Sequence, residues 1–208
     1  MRMAYLLQGI LFVGLIFVAV YAMDSRKGQN NSDIIVPTSS SMTTAFSLAS
    51  PAFEQNGRIP SKFTCDGDRS INPPLKFSGV PEEAKSLALI MDDPDVPKVL
   101  HPDGVFDHWV LFNIPPPPNP PTGGGGTLEI AEGKSVGIAG VNGRGDRAYT
   151  GPCPPPQYEP SEHRYIFVLY ALDSTLALNA GATKQEVLKA MEGHILAQAR
   201  LVGRYSRE

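Results

Sequence analysis

Apolar positions along the chain gather into short runs separated by stretches rich in Pro, Gly, Asp and Asn. Residues 87–91 are an unbroken apolar run of strand length. The run stops at Asp92-Asp93-Pro94-Asp95, where proline removes a backbone donor and restricts the residue before it. Residues 108–114, HWVLFNI, mix aromatic and β-branched side chains and predict a second strand, closed by the prolines from Pro115 onward. Neighbouring strands joined by one loop usually pair antiparallel, so the end of the first and the start of the second share a sheet edge. Asp93, Asp95 and His108 are therefore expected on one rim.

Residues 163–173, HRYIFVLYALD, carry the clearest strand signal. Their near-continuous apolar run predicts a central strand covered on both faces. Weaker patterns predict a first strand over 46–50, short extended pieces at 57–60 and 63–67, extended chain over 72–77, and a last strand over 200–205. Helical spacing is confined to the C-terminal part: Thr183 stands as an N-cap three residues before Glu186, with Val187, Leu188 and Met191 following on one face. A second short helix or turn is expected after Gly193. With 20 Gly and 20 Pro in 208 residues, a loop-rich β domain is favoured over a helical bundle.

The longest apolar segment, residues 4–22, is preceded by Arg2 and followed by Asp24, Arg26 and Lys27, and it reads as an export or anchor segment. The expected organisation is a signal anchor or signal peptide over 1–23, a flexible linker over 24–44 and a globular domain over 45–208. That places the domain outside the cytoplasm, anchored to the membrane, or secreted or periplasmic if the chain is cleaved after Ala22. A net charge of -3 with no basic stripe excludes a nucleic-acid partner. Cys65 and Cys153 are the only cysteines, and in an oxidising compartment such a pair forms a disulfide, with two buried unlinked thiols as the alternative. The tract PPPPNPPTGGGG reads as a surface loop, and the triplet Arg144-Gly145-Asp146 is too short a match to carry an adhesion function.

His163 opens its strand as His108 opens the earlier one. If the two strands run parallel in space, both imidazoles meet Asp93 and Asp95 on one rim, with the loop 151–155 arching over them. Imidazoles flanked by carboxylates are biased toward the charged form, and backbone N–H groups of a Gly-containing loop can be aimed at phosphate oxygens. The composition suits a small anion or zwitterion, with carboxylates left over to accept from an amine. Taken singly, each histidine reads as an ordinary buried or rim residue; together with the acids and the Gly-Pro loop they read as a site. Three other chemistries compete. A divalent metal has no HxH, HExxH or CxxC spacing to hold it, a Cys153–His163 nucleophile and base would need a free thiol, and hydrolysis has no GxSxG nucleophile. The expectation is binding without catalysis, cofactor or metal.

The motifs MDDPDVP, FDHWVLFNIP, YTGPCPP and HRYIFVLYALD, in that order, resemble the phosphatidylethanolamine-binding protein family. The FTCDG and GPCPP pair looks like its bacterial Raf-kinase-inhibitor-like (YbhB/YbcL) branch. The likeness covers roughly residues 46–205. It implies a mainly β fold of two antiparallel sheets with short C-terminal helices, here preceded by an N-terminal membrane segment. It also implies a pocket for phosphate-bearing head groups or similar anions. Carried onto matching positions, that pocket comprises Asp93, Pro94, Asp95, His108, Gly151, Pro154, Pro155, His163 and Tyr165, with Trp109 and Tyr149 close behind. Cys153 departs from the eukaryotic pattern, where a small residue stands, so the pocket mouth is either remodelled or bridged to Cys65. Relatives that act as protease inhibitors or signalling scaffolds imply the alternative of an extracytoplasmic protein-interaction module with no small ligand.

Overall fold

The computed structural model describes residues 45–118 and 126–207; the apolar segment 4–22, the linker 24–44 and residues 119–125 of the Pro/Gly tract lie outside them. In chain order the strands are β1 (Ser47–Ala49), β2 (Leu75–Val80), β3 (Ser86–Asp93), β4 (Phe106–Ile114), β5 (Gly126–Ile130), β6 (Ile138–Ala139), β7 (Glu162–Leu172) and β8 (Ile195–Ser206). Helix α1 (Lys184–Met191) precedes β8. They form a three-stranded sheet in the order β1-β2-β5 and a five-stranded sheet in the order β6-β4-β3-β7-β8, every pairing antiparallel. Among the described residues no helix is long and apolar enough to cross a membrane.

The period-2 geometry of strands explains where the core sits. Leu87, Leu89 and Met91 of β3, with Tyr165, Phe167 and Leu169 of β7, join Phe77 of β2 in one buried cluster that includes residues of both sheets. The intervening Ala88 and Ile90 join Val110 and Phe112 of β4 and Val187 and Met191 of α1 in a second cluster. Burying one such aromatic or aliphatic side chain is worth about 1.5–3 kcal/mol, so the two clusters anchor both faces of β3. The strand covered on both faces is therefore β3. The expectation for 163–173 is corrected, because β7 is fully buried on one face and half-buried on the other.

Helix α1 starts where the capping pattern predicts: the Thr183 hydroxyl accepts from the Glu186 N–H at 3.2 Å, and the Glu186 carboxylate accepts from the Thr183 N–H at 2.8 Å. Leu188 is turned toward solvent rather than into the core. The described residues contain one α-helix where the family resemblance implied more than one, and the short helix or turn expected after Gly193 is a turn that leads into β8. The expected extended piece at 63–67 is also corrected. Residues Ser61–Phe63 form a 3-10 turn, and the Thr64 hydroxyl folds back on the Ser61 carbonyl at 2.7 Å. Two short strands, β5 and β6, carry no pattern that the sequence reading recognised.

Candidate functional site

β3 pairs with β4 on one side and β7 on the other, so β4 and β7 run parallel with β3 between them. The C-terminal end of β3 thus lies between the N-terminal ends of β4 and β7, and Asp93, His108 and His163 meet at one end of the sheet. Alternation alone would send His108 to the helix side with Val110. The register instead slips by one residue between Met91↔Trp109 and Asp92↔Asp107, leaving His108 as the extra residue of a bulge. Bulges re-aim side chains in this way. His108 consequently packs edge-on against Tyr165, ring centres 5.1 Å apart, and against Phe106 at 4.8 Å.

A cavity of about 350 Å³ opens here, lined by Asp93, His108, Thr150, Gly151, Cys153, Pro154, Pro155 and His163, with Arg69, Val96, Leu100, His101, Phe106 and Arg144 around them. The His163 Nδ1 donates to Asp93 Oδ2 at 2.7 Å, and the two side chains are 1% and 4% exposed. Its Nε2 is buried without a protein partner, as is the Tyr165 hydroxyl. His108 Nδ1 lies 2.6 Å from the Thr150 carbonyl. A carbonyl only accepts, so this nitrogen carries the hydrogen and Nε2 is the remaining position on both rings. Burial holds His108 below the ordinary imidazole range despite the pull of the Thr150 carbonyl, Asp93 and Asp107. The expectation of two charge-biased imidazoles is corrected for His108: its environment favours the neutral ring.

The remaining residues implied by the family pattern sort into three groups. Gly151, Pro154 and Pro155 line the cavity. The Gly151 N–H, however, donates to the Arg69 carbonyl at 2.7 Å and the Thr150 N–H to the His108 carbonyl at 3.0 Å, so these two amides are not aimed at a ligand. Trp109, Tyr149 and Tyr165 stand behind the wall: Trp109 packs edge-on against Tyr149 at 5.5 Å, and the Tyr149 hydroxyl donates to the Phe63 carbonyl at 2.9 Å. Burial pushes the pKa of both tyrosines up, and the Asp93 charge adds to the effect at Tyr165. Pro94 and Asp95 do not line the cavity. Both Asp95 oxygens are held by the Arg164 guanidinium, at 2.6 and 2.8 Å, which keeps this carboxyl below its usual range.

The 63–69 and 149–153 segments form one wall. Cys65 and Cys153 are joined by a disulfide, the Cys65 N–H donates to the Pro152 carbonyl at 3.0 Å, and Gly151 sits where any Cβ would meet the Phe63 and Thr64 backbone. Residues 49–206 match the model of the phosphatidylethanolamine-binding protein family. The chain belongs to the phosphatidylethanolamine-binding protein (PEBP) family. A UPF0098 protein of Methanothermobacter thermautotrophicus is 49% identical over 161 residues, covering 77% of this chain and 98% of that protein. One from Chlamydia muridarum is 44% identical over 162 residues, covering 77% and 99%. Among solved structures, a PEBP homolog of Chlamydia trachomatis superposes with a TM-score of 0.69 at 42% identity, covering 80% of this chain and all of that one. E. coli YbcL, described as a new member of the mammalian PEBP family, reaches 0.66 at 22% identity over 79% of this chain and supports the fold alone.

Sequence reasoning missed the two arginines of this PEBP cavity, Arg69 and Arg144. Arg144 lies in the triplet set aside as an adhesion match. Asn142 accepts from the Arg144 and Asp146 N–H groups at 2.9 and 3.0 Å and so folds that turn against the cavity mouth. An Asn two residues before the Arg in a Gly-rich turn was the available signal. Nothing in the sequence around Arg69 pointed to the site. Among the described residues no group of three or more His, Cys, Asp or Glu is arranged to hold a metal ion.

Proposed function

We propose that the PEBP domain binds a small phosphate-bearing or other anionic ligand in the Asp93–His108–His163 cavity, without turning it over. The observation that carries this reading is the buried His163 Nε2, which has no partner within the protein and belongs to a residue lining a cavity that also holds Arg69 and Arg144. Buried polar atoms are almost always hydrogen-bonded, so a lining that leaves this nitrogen bare and also carries two guanidiniums favours a phosphate or similar acid group, whose anionic oxygens accept from the arginines and whose hydroxyl donates to the ring nitrogen. Asp93 fixes the His163 ring through Nδ1, and His108, held neutral by burial, gains a proton more readily with an anion beside it. Through His108, binding therefore takes up a proton and tightens as pH falls below the ordinary imidazole range.

Absence of turnover is supported by the lining itself, in which the one cysteine is in the disulfide and no serine stands beside the Asp93–His163 pair. The apolar segment 4–22 would hold the domain on the outer side of a membrane, or release it if cleaved after Ala22. A protein partner is a second reading, favoured by Val99 and Leu100, 76% and 51% exposed beside the cavity mouth. Titration of the protein with inorganic phosphate, followed on the ¹⁵N imidazole resonances, tests the first reading. Shifts at His163 and His108 that saturate in the wild type and are weakened in His108→Ala support it; unmoved imidazoles reject it.

A further inference from the structure

The disulfide in the cavity wall is asymmetric. Cys153 lines the cavity and Cys65 does not, and both residues are half-buried rather than sealed in the core. A cation stands beside the bridge: the Arg69 Nη2 lies 3.8 Å from Cys153 Sγ. Partly exposed sulfur in an electropositive setting is the reactive kind, whereas cysteines sealed in apolar surroundings are inert. The two segments are also joined without their sulfurs. The Cys65 N–H donates to the Pro152 carbonyl at 3.0 Å, the Gly151 N–H to the Arg69 carbonyl at 2.7 Å, and the Tyr149 hydroxyl to the Phe63 carbonyl at 2.9 Å. Opening the bond therefore leaves the two sulfurs close enough to rejoin.

We propose that the Cys65–Cys153 bridge is a reversible thiol-exchange site entered from the cavity, with small thiols as its substrates and Arg69 as the residue that speeds the exchange. A thiolate RS⁻ attacks Cys153 Sγ. The R–S–S bond to Cys153 forms as the bond to Cys65 breaks, and Cys65 leaves as the thiolate. A second thiolate then attacks the sulfur that carries R, giving RSSR and the Cys153 thiolate. Two electrons pass from two thiols to the protein disulfide, and Cys65 and Cys153 take up the two protons that the thiols lost. Negative charge is shared among three sulfurs in each transition state. The guanidinium beside Cys153 stabilises that charge and then the Cys153 thiolate. Between the two steps R sits on Cys153 at the cavity wall, where about 350 Å³ gives it room. The exchange needs no bound anion and so stands apart from the ligand-binding function.

The test uses the full-length oxidised protein and 2-mercaptoethanol at about pH 8, near the ordinary thiol pKa. Peptide mapping after an acid quench is expected to find the adduct on Cys153 and a free Cys65; an adduct on Cys65 alone overturns entry from the cavity. The opening rate is expected to be the same with and without about 1 M urea, since the folded protein reacts, whereas a rate that required unfolding would rise about fivefold or more and overturn the proposal. Arg69→Met is expected to slow opening about tenfold, and Arg69→Lys, which keeps the charge, to recover part of the loss. In concentrated guanidinium chloride all three proteins should react at one rate. Both variants keep the carbonyl that Gly151 uses, and a variant that failed to fold would open faster, opposite to the expected change. Opening of Arg69→Met at the wild-type rate or faster overturns the role of Arg69. Hydroxyethyl disulfide, added after the thiol is removed, is expected to restore the bridge without denaturant; failure to re-form it overturns reversibility.

Discussion

Asp92 and Asp93 are adjacent on β3 and face opposite sides of the sheet. Asp93 fixes His163 at the cavity. Asp92 lies toward α1, where Lys184, its side chain 10% exposed, bonds it at 3.2 Å and also reaches Asp107. Both faces bury acids at the same strand end, yet one ends in a bare imidazole nitrogen beside a cavity and the other in a closed carboxylate–ammonium–carboxylate bridge. Burial of charge is thus not by itself the mark of a site here; what separates the faces is whether the partners leave a hydrogen-bonding position unused. On the helix side burial raises Asp92 to about 6, Lys184 pulling it down and Asp107 pushing it up.

The contrast predicts different consequences of damage on the two faces. Lys184→Met should be the most destabilising change, by about 3–5 kcal/mol, because it leaves two partly buried carboxylates facing each other. Denaturant unfolding checks this, and phosphate affinity of the folded fraction should stay within about twofold of wild type. Reducing the Cys65–Cys153 disulfide, which spans 88 residues, should cost about 2–4 kcal/mol. Unlike the lysine change, it should also weaken phosphate about tenfold, because the bridge holds the wall that carries Gly151 and Pro154. Retained affinity after reduction would break the distinction between the faces.

Titration of Asp92 sharpens the comparison further. Its folded-state carboxyl, at about 6, binds a proton more tightly than an unfolded-chain carboxyl near 3.9. The stability it contributes is complete below about pH 4 and is lost as pH rises through about 6, an effect of about 3 kcal/mol. Asp92→Asn should flatten the stability–pH curve over that window by this amount. Asp95→Asn should have the smallest effect, about 1 kcal/mol or less, since its Arg164 partner is 47% exposed. Phosphate affinity should be unchanged in that variant, as expected of a carboxylate outside the cavity; a tenfold loss would return Asp95 to the site.

The three strands that carry the site were legible because 87–91, 108–114 and 163–173 are apolar runs stopped by Pro or Asp, whereas the parallel placement of β4 and β7, only a condition in the sequence, comes from the pairing of both to β3. The bulge at His108 was not legible, since a one-residue slip leaves no mark in composition. Nor was β6, two residues long at a sheet edge, or the start of β8, where Ile195 and Leu196 are exposed and mimic the end of a helical face. Asp95 was assigned to the site on proximity in sequence and a family pattern, while its actual partner, Arg164, stands 69 positions away. Arg69 and Arg144 come from turns whose placement depends on backbone bonds to Gly151 and Asn142, which only the folded chain assembles.

A structure of the protein grown in the presence of phosphate tests the central claim most directly. The account predicts an anion within hydrogen-bond distance of His163 Nε2 and contacted by Arg69 or Arg144. A phosphate seated elsewhere on the surface, with His163 Nε2 unchanged and both arginines turned to solvent, would contradict it.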